Sequence, residues 1–314
     1  MANLFIIGNG FDIAHKLKTK YNDFNIYLSK KYPSANGEEL HLPNCQMDPD
    51  GGESYDDTEI ADFIKCLINL AENGNEWNQL EESVGKLEYN YCLDDVIEVY
   101  DREGDIDLFK TSHNFEDASL QLVYPFQSIT RFFEDWINTI YISKWRKKIP
   151  DFNCLIDKEN DYFLTFNYTD TLELIYKVKN VCHIHGRQGE YLYFGHGTDF
   201  DFYEDGDYPI GSESYLQSIH NSLKKDTLSA LRLHQEFFNN ISGIKNIYSY
   251  GFSFANVDLI YIEEICKQIN TKNITWYLND FDDVSKRQVF MDRIVSCGFK
   301  GGIVSYHIHN PYFE

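Results

Sequence analysis

Two short apolar runs, Tyr162 to Phe166 and Val181 to Ile184, are separated by one short amphipathic helical segment, and each stops at polar residues, Asn167 after the first and His185-Gly186 after the second. Runs of this length bounded by turn residues suit buried strands. A strand that returns through a helix crosses over right-handedly and lies parallel to its neighbour. Asn167 and His185 then emerge side by side at one edge of a sheet, which is where open α/β sheets bind ligands. Adjacent strands lie about 4.8 Å apart, so an amide that orients a water and an imidazole that moves a proton can converge on one small group. Each residue also has a plainer reading: Asn closes turns through local hydrogen bonds, and a core histidine can be fully satisfied by its neighbours.

The same alternation runs through the chain. Further apolar runs lie at Asn3 to Ile7, Tyr191 to Phe194, Asn246 to Tyr250, Ile274 to Leu278 and Ile303 to Tyr306, with helical patterns between most of them. Strand alternating with helix predicts an α/β fold built on a doubly wound, mainly parallel, Rossmann-type sheet. Pro33 to Asp57 is polar and rich in Gly, Pro and Asp, as a long surface loop would be. Helical patterns follow at about Thr58 to Leu70, Glu76 to Tyr100 and Ala118 to Lys148. In the last, Leu122, Val123, Phe126, Ile129, Phe133, Trp136, Ile137 and Ile140 recur at helical spacing, a core stripe rather than a cofactor box. The expected organisation is one α/β domain whose sheet comes from about 1–32 and 160–314, with a helical insertion at about 58–150. Thr198 to Ser214 carries Asp199, Asp201, Glu204, Asp205 and Asp207 among Gly and aromatic residues, and reads as an acidic surface loop.

A chain of 314 residues with 43% hydrophobic residues, 23 Tyr and 23 Phe can bury a large core. Its formal charge of −22 disfavours a nucleic-acid backbone as partner, because phosphate binding draws on clustered Lys and Arg. Seven cysteines are scattered with no C-x-x-C pair, so neither a disulfide framework nor a thiolate zinc site is indicated. No signal-peptide pattern opens the chain and no apolar run approaches the roughly 20 residues that span a bilayer. A cytoplasmic protein with no membrane partner is expected.

Other strand ends carry related punctuation. Gly8-Asn9-Gly10, followed by Phe11, lets the backbone turn sharply and present N–H groups to a phosphate, although such turns also serve strand-to-helix packing alone. Asp12 is placed either to cap the helix or to bond a ribose hydroxyl. Gly251 and Ser253 follow a later strand, and Asn279 ends another. His183 and His185 alternate along a strand and, with His196, form a possible ligand set, but no supporting carboxylate pattern accompanies them. Metal binding therefore ranks below acid/base chemistry, and no metal site is expected.

The segments LFIIGNGFDIAHKLKTKYNDF, FLTFNYTDTLELIY, HIHG, FGH and SYGFSFANVD, in this order from the first strand to about Asp280, resemble the AbiH family of bacterial abortive-infection proteins. Trp77, Leu80 and Glu81 resemble a W-x-x-L-E element of the same family. That family is in turn distantly similar to sirtuins. By this resemblance Gly8 and Gly10 match the glycines of the first turn, Thr165 and Asn167 a T-x-N element, His185 the catalytic histidine, Gly251 and Ser253 a G-x-S element, and Asn279 a late Asn. The sirtuin Asp that follows its Asn-Ile has two candidate equivalents, Thr169 and Asp170. The four-cysteine module of deacylase sirtuins is missing, which argues against deacylation.

The resemblance implies a sirtuin-like NAD hydrolase that cleaves the nicotinamide–ribose bond in anti-phage defence. His185 and Asn167 are its catalytic candidates, and Gly8, Asn9, Gly10, Phe11, Asp12, Thr165, Gly251, Ser253 and Asn279 its NAD contacts. Cleavage through an oxocarbenium-like state needs the ribose held and a water placed opposite the leaving group. Two other readings stay open: a nucleotide-sensing module that binds NAD without turnover and acts through partners, and a nuclease. A phage-derived trigger and a homo-oligomer are compatible with either defence role, though no coiled-coil seam is visible.

Overall fold

The computed structural model describes residues 2–72, 77, 79–204 and 207–311. β1 (Leu4–Ile7) leads into α1 (Asn9–Ala14) and α2 (Tyr21–Lys31); a hairpin of β2 (Gln46–Met47) and β3 (Glu53–Ser54) precedes α3 (Asp57–Ala71), α4 (Leu80–Val84) and α5 (Leu108–Thr139). The chain continues through α6 (Pro150–Leu155), β4 (Tyr162–Thr165), β5 (Asn180–His183), α7 (Glu213–Ser222), α8 (Thr227–Leu233) and α9 (Gln235–Asn240). It ends with β6 (Asn246–Tyr250), α10 (Leu259–Gln268), β7 (Thr275–Asn279), α11 (Val284–Ser296) and β8 (Gly302–Tyr306). Two compact units result: Met1–Lys20 with Ile137–Tyr193 and Asp226–Glu314, and Tyr21–Trp136 with Phe194–Lys225.

The first unit holds a six-stranded sheet in the order β5-β4-β1-β6-β7-β8, with every pairing parallel. Counted by appearance, its strands run 3-2-1-4-5-6, the order of a Rossmann-like fold whose direction reverses between β1 and β6. The Leu4–Ile7 strand is buried at every position, as expected where helices cover both faces of a parallel sheet. On one face Leu4, Ile6, Leu164, Ile247, Trp276 and Leu278 join one core cluster. On the other, register aligns Phe163, Phe5, Tyr248 and Tyr277. Their rings stack across four strands with centroids 5.1, 5.0 and 4.6 Å apart.

The second unit is mostly helical. Phe24 packs on Trp77 and Trp136, Phe126 on Phe63 and Tyr89, and Phe133 stacks on Phe194 at 4.0 Å. Phe126, Phe133 and Trp136 lie on the buried stripe of α5 that the sequence spacing indicated. Trp77 donates its indole N–H to Asn69 Oδ1, and Glu81 pairs with the buried Lys225 at 2.9 Å.

Three expectations need correction. Between Glu76 and Tyr100 the described residues form only α4 and a single 3₁₀ turn, Tyr89–Cys92. Gly85 ends α4 where any Cβ would meet the His196 side chain at 2.8 Å. Glu76 itself, like Asp205 of the acidic loop, lies outside the described residues. The long helix starts at Leu108 rather than Ala118, where Asp107 Oδ1 accepts from the Lys110 N–H, and stops at Thr139 before the basic run that ends at Pro150. Tyr191 to Phe194 is not a strand. Leu192 and Phe194 are buried in alternation, but the run is bracketed by Gly186 and Gly195 at positive φ.

Candidate functional site

The strand register puts Thr165 beside His183, so Asn167 and His185, two residues further on, leave neighbouring strands at the same level. Their side chains then take different partners. Asn167 hydrogen-bonds the carboxyl of Asp12, whereas His185 Nε2 lies 3.3 Å from Asp258 Oδ1. The His185 ring is fully enclosed, edge-on to Phe166 at 5.2 Å and to Tyr261 at 5.6 Å, and tilted against Tyr168. Asp258 is the neighbour of His185 that the sequence reading did not single out. It sits in the 3₁₀ turn Asn256–Asp258 leading into α10, within the SYGFSFANVD string but without a motif of its own.

Asp12 does not cap α1. The N-cap position is Gly8, one turn earlier, and Asp12 is instead buried against the β4 end. Thr169 Oγ1 donates to Asp12 Oδ2 at 2.5 Å and lies 2.9 Å from Thr171 Oγ1. Burial raises the Asp12 pKa to about 6, against the opposing hydrogen bonds of Thr169, Thr171 and Asn167. Among the described residues, Asp12 Oδ1 and Asn167 Oδ1 are both buried and meet no hydrogen-bond donor, two acceptors for a donor-bearing ligand or water.

The glycine turns have a definite packing role. A Cβ on Gly8 would lie 2.4 Å from the Gly251 carbonyl oxygen, and one on Gly251 would lie 2.5 Å from Gly10 Cα. The Gly10 N–H donates to Gly251 O, the Gly8 N–H to Tyr250 O and the Phe11 N–H to Gly8 O. The Gly8 and Gly10 amides lock the β1 and β6 turns together at the point where strand order reverses, and the Phe11 amide closes the first turn on itself. Phe11 is buried among His15, Phe152, Tyr176 and Tyr250. Asn9 Nδ2 donates to Thr19 O, Thr165 Oγ1 accepts from the Asn167 N–H, and Asn279 Oδ1 accepts from the Phe281 N–H. Ser253 is exposed at the same reversal point.

His15, in the opening motif, anchors the turn. Its Nδ1 contacts Phe11 O at 2.7 Å, its Nε2 contacts the Tyr176 hydroxyl at 2.8 Å, and that hydroxyl accepts from the Ile149 N–H. An imidazole donating from Nδ1 and accepting at Nε2 satisfies all three groups. Burial lowers the His15 pKa to about 4, so the neutral ring persists at neutral pH.

The histidine trio His183, His185 and His196 is not assembled. His196 lies in the second unit, where its Nε2 meets His220 O at 3.0 Å. His183 joins Asp170 and Glu173, with ligand atoms all within 4.8 Å of one another. Its Nε2 lies 2.7 Å from Glu173 Oε1, and its Nδ1 lies 3.2 Å from the Asn167 carbonyl. Burial opposes a charge on His183, but the Glu173 hydrogen bond and charge outweigh it and raise its pKa. Glu173 and His183 line a cleft of about 620 Å³ along the edge of β5, together with Arg187, Tyr193, His234 and Phe237.

No helix among the described residues is long and apolar enough to cross a membrane. No curated protein and no solved structure matches the chain. A family model described as bacteriophage abortive infection AbiH matches residues 4–280. That span carries the interlocked glycine turns, the Asp12–Asn167 pair and the His185–Asp258 pair, and the chain belongs to the AbiH family.

Proposed function

We propose that this abortive-infection protein is a sirtuin-like NAD hydrolase that cleaves the nicotinamide–ribose bond. The observation that carries the reading is the buried His185–Asp258 pair at the end of β5, beside Asn167, on a sheet of Rossmann-like strand order. A carboxylate on one imidazole nitrogen fixes ring orientation and stabilises the imidazolium that forms when the other nitrogen accepts a proton. His185 would serve as general base toward a ribose hydroxyl or the attacking water, Asp258 would orient it, and Asn167 would position the water or the ribose. The partnerless acceptors on Asp12 and Asn167 suit a substrate rich in O–H and N–H donors. The amides of Gly8, Gly10 and Phe11 are engaged internally, which leaves the exposed Ser253 turn as the meeting point for a pyrophosphate.

A second reading, NAD sensing without turnover, draws support from the burial of His185, which is only 3% exposed. The two separate in one experiment. Purified chain, and cells expressing it during phage infection, are assayed for nicotinamide release and NAD loss. Release that disappears in Asn167→Ala and His185→Ala supports hydrolysis. NAD that stays intact through infection arrest, with NAD-induced thermal stabilisation of the purified chain, supports sensing.

A further inference from the structure

We infer that Asp170, Glu173 and His183 form a divalent transition-metal site whose open coordination positions face the cleft along β5. This inference is independent of the NAD reading, since the cluster uses different side chains from His185 and Asp258.

Asp170 and Glu173 are three residues apart at the turn that enters the π-helical segment Leu172–Tyr176, a spacing that brings their carboxylates together. His183 ends the next strand. One imidazole nitrogen and two carboxylates make a mixed N/O donor set suited to Mn²⁺ or Zn²⁺. The His183 Nε2 to Glu173 Oε1 separation is 2.7 Å and that to Asp170 Oδ1 is 3.9 Å. Two ligands each about 2.1 Å from one ion lie roughly 3–3.5 Å apart, so small side-chain rotations bring this set onto a common centre.

Two further features of these side chains bear on the site. His183 Nδ1 faces the backbone carbonyl of Asn167, the partner that holds a metal-binding imidazole in the tautomer whose other nitrogen carries the lone pair. Nε2 is then left facing the Glu173 carboxylate, where a metal ion can take the place of the proton that otherwise links the two. Glu173 Oε2 and Asp170 Oδ1 are buried and accept no hydrogen bond among the described residues, although Arg187 Nη1 forms an ion pair with Asp170 Oδ1 at 3.7 Å. The cleft of about 620 Å³ leaves room for water or an anionic oxygen to complete the coordination.

The test uses the full chain freed of metal by chelation and titrated with MnCl₂ and with ZnCl₂. Calorimetry and the Mn²⁺ electron paramagnetic resonance spectrum report binding. One ion per chain is expected, with affinity at least tenfold weaker in His183→Ala and in Glu173→Gln and unchanged in Asn240→Ala, which alters the same cleft away from the ligand set. Circular dichroism checks each variant, and Glu173→Gln serves if His183→Ala fails to fold. No saturable uptake of either ion at 1 mM overturns the inference, as does uptake that both ligand variants retain. In that outcome a proton on His183 Nε2, bonded to Glu173, accounts for the geometry.

Discussion

His185 Nε2 faces Asp258 Oδ1 at 3.3 Å with both side chains buried. If the pair works as base and orienter, Asp258→Asn keeps the shape and removes the charge that stabilises the imidazolium. NAD cleavage is then expected to fall by about 10²-fold or more, with KM changed little because Asp258 acts through His185. Nicotinamide release measured over a range of NAD concentrations checks this. A kcat within threefold of the unaltered chain would remove Asp258 from the mechanism.

Gly251 has φ +62, and a Cβ there would overlap Gly10 Cα at 2.5 Å and the Phe11 nitrogen at 2.6 Å. Both obstacles are backbone, so neither can rotate aside. Gly251→Ala is expected to cost at least about 2–4 kcal/mol of stability, read from the urea midpoint. A control at Gly243, where no described residue lies within 4 Å of an added Cβ, should stay within about 1 kcal/mol. Equal midpoints for the two variants would mean that the turns are not locked together.

Asp12 and His15 give opposite pH dependences over nearly the same range. Asp12 titrates at about 6 when folded instead of 3.8. The native state keeps a proton that the unfolded chain releases, and stability present below pH 3.8 is lost as pH rises through 6. His15 titrates at about 4 instead of 6.5, so its contribution is present above pH 6.5 and lost as pH falls through 4. Each effect is roughly 3 kcal/mol, and in the unaltered chain they largely offset between pH 4 and 6. Asp12→Asn should expose the His15 slope, with stability climbing from pH 4 to 6.5, and should be more stable than the unaltered chain at pH 8. Parallel stability–pH curves for the two proteins would contradict the burial of a charged Asp12.

The strands were legible because each apolar run is short and closed by Gly, Asn or His, and the Asn167–His185 juxtaposition follows from crossover geometry alone. The partners of those residues were not. Asp258 reaches His185 through tertiary packing of α10, and no local pattern distinguishes its carboxylate from a helix-start residue. Asp12 looked like a cap because Asp near a helix start usually is one; the turn lock at Gly8 shifts the N-cap four residues earlier. The Asp170, Glu173 and His183 set mixes helical spacing with a strand end, so neither period alone displays it. A metal held there would suit a nuclease, a reading that the net charge of −22 still disfavours.

The ring ladder of Phe163, Phe5, Tyr248 and Tyr277 ties together the two halves of the sheet across the reversal between β1 and β6, the seam beneath the candidate site. Tyr248 stacks on Phe5 at 5.0 Å on one side and on Tyr277 at 4.6 Å on the other. Tyr248 is half-buried, so Tyr248→Ala, which removes both contacts, is expected to cost about 1–3 kcal/mol, while Tyr277→Ala, nearer the sheet edge, removes fewer. A double-mutant cycle between the two should return a coupling of about 0.5–1.5 kcal/mol beyond burial. Because the ladder bridges the seam, Tyr248→Ala should also speed hydrogen exchange in β1 and β6 together. Exchange that rises in β6 alone would mean that the two halves of the sheet open independently.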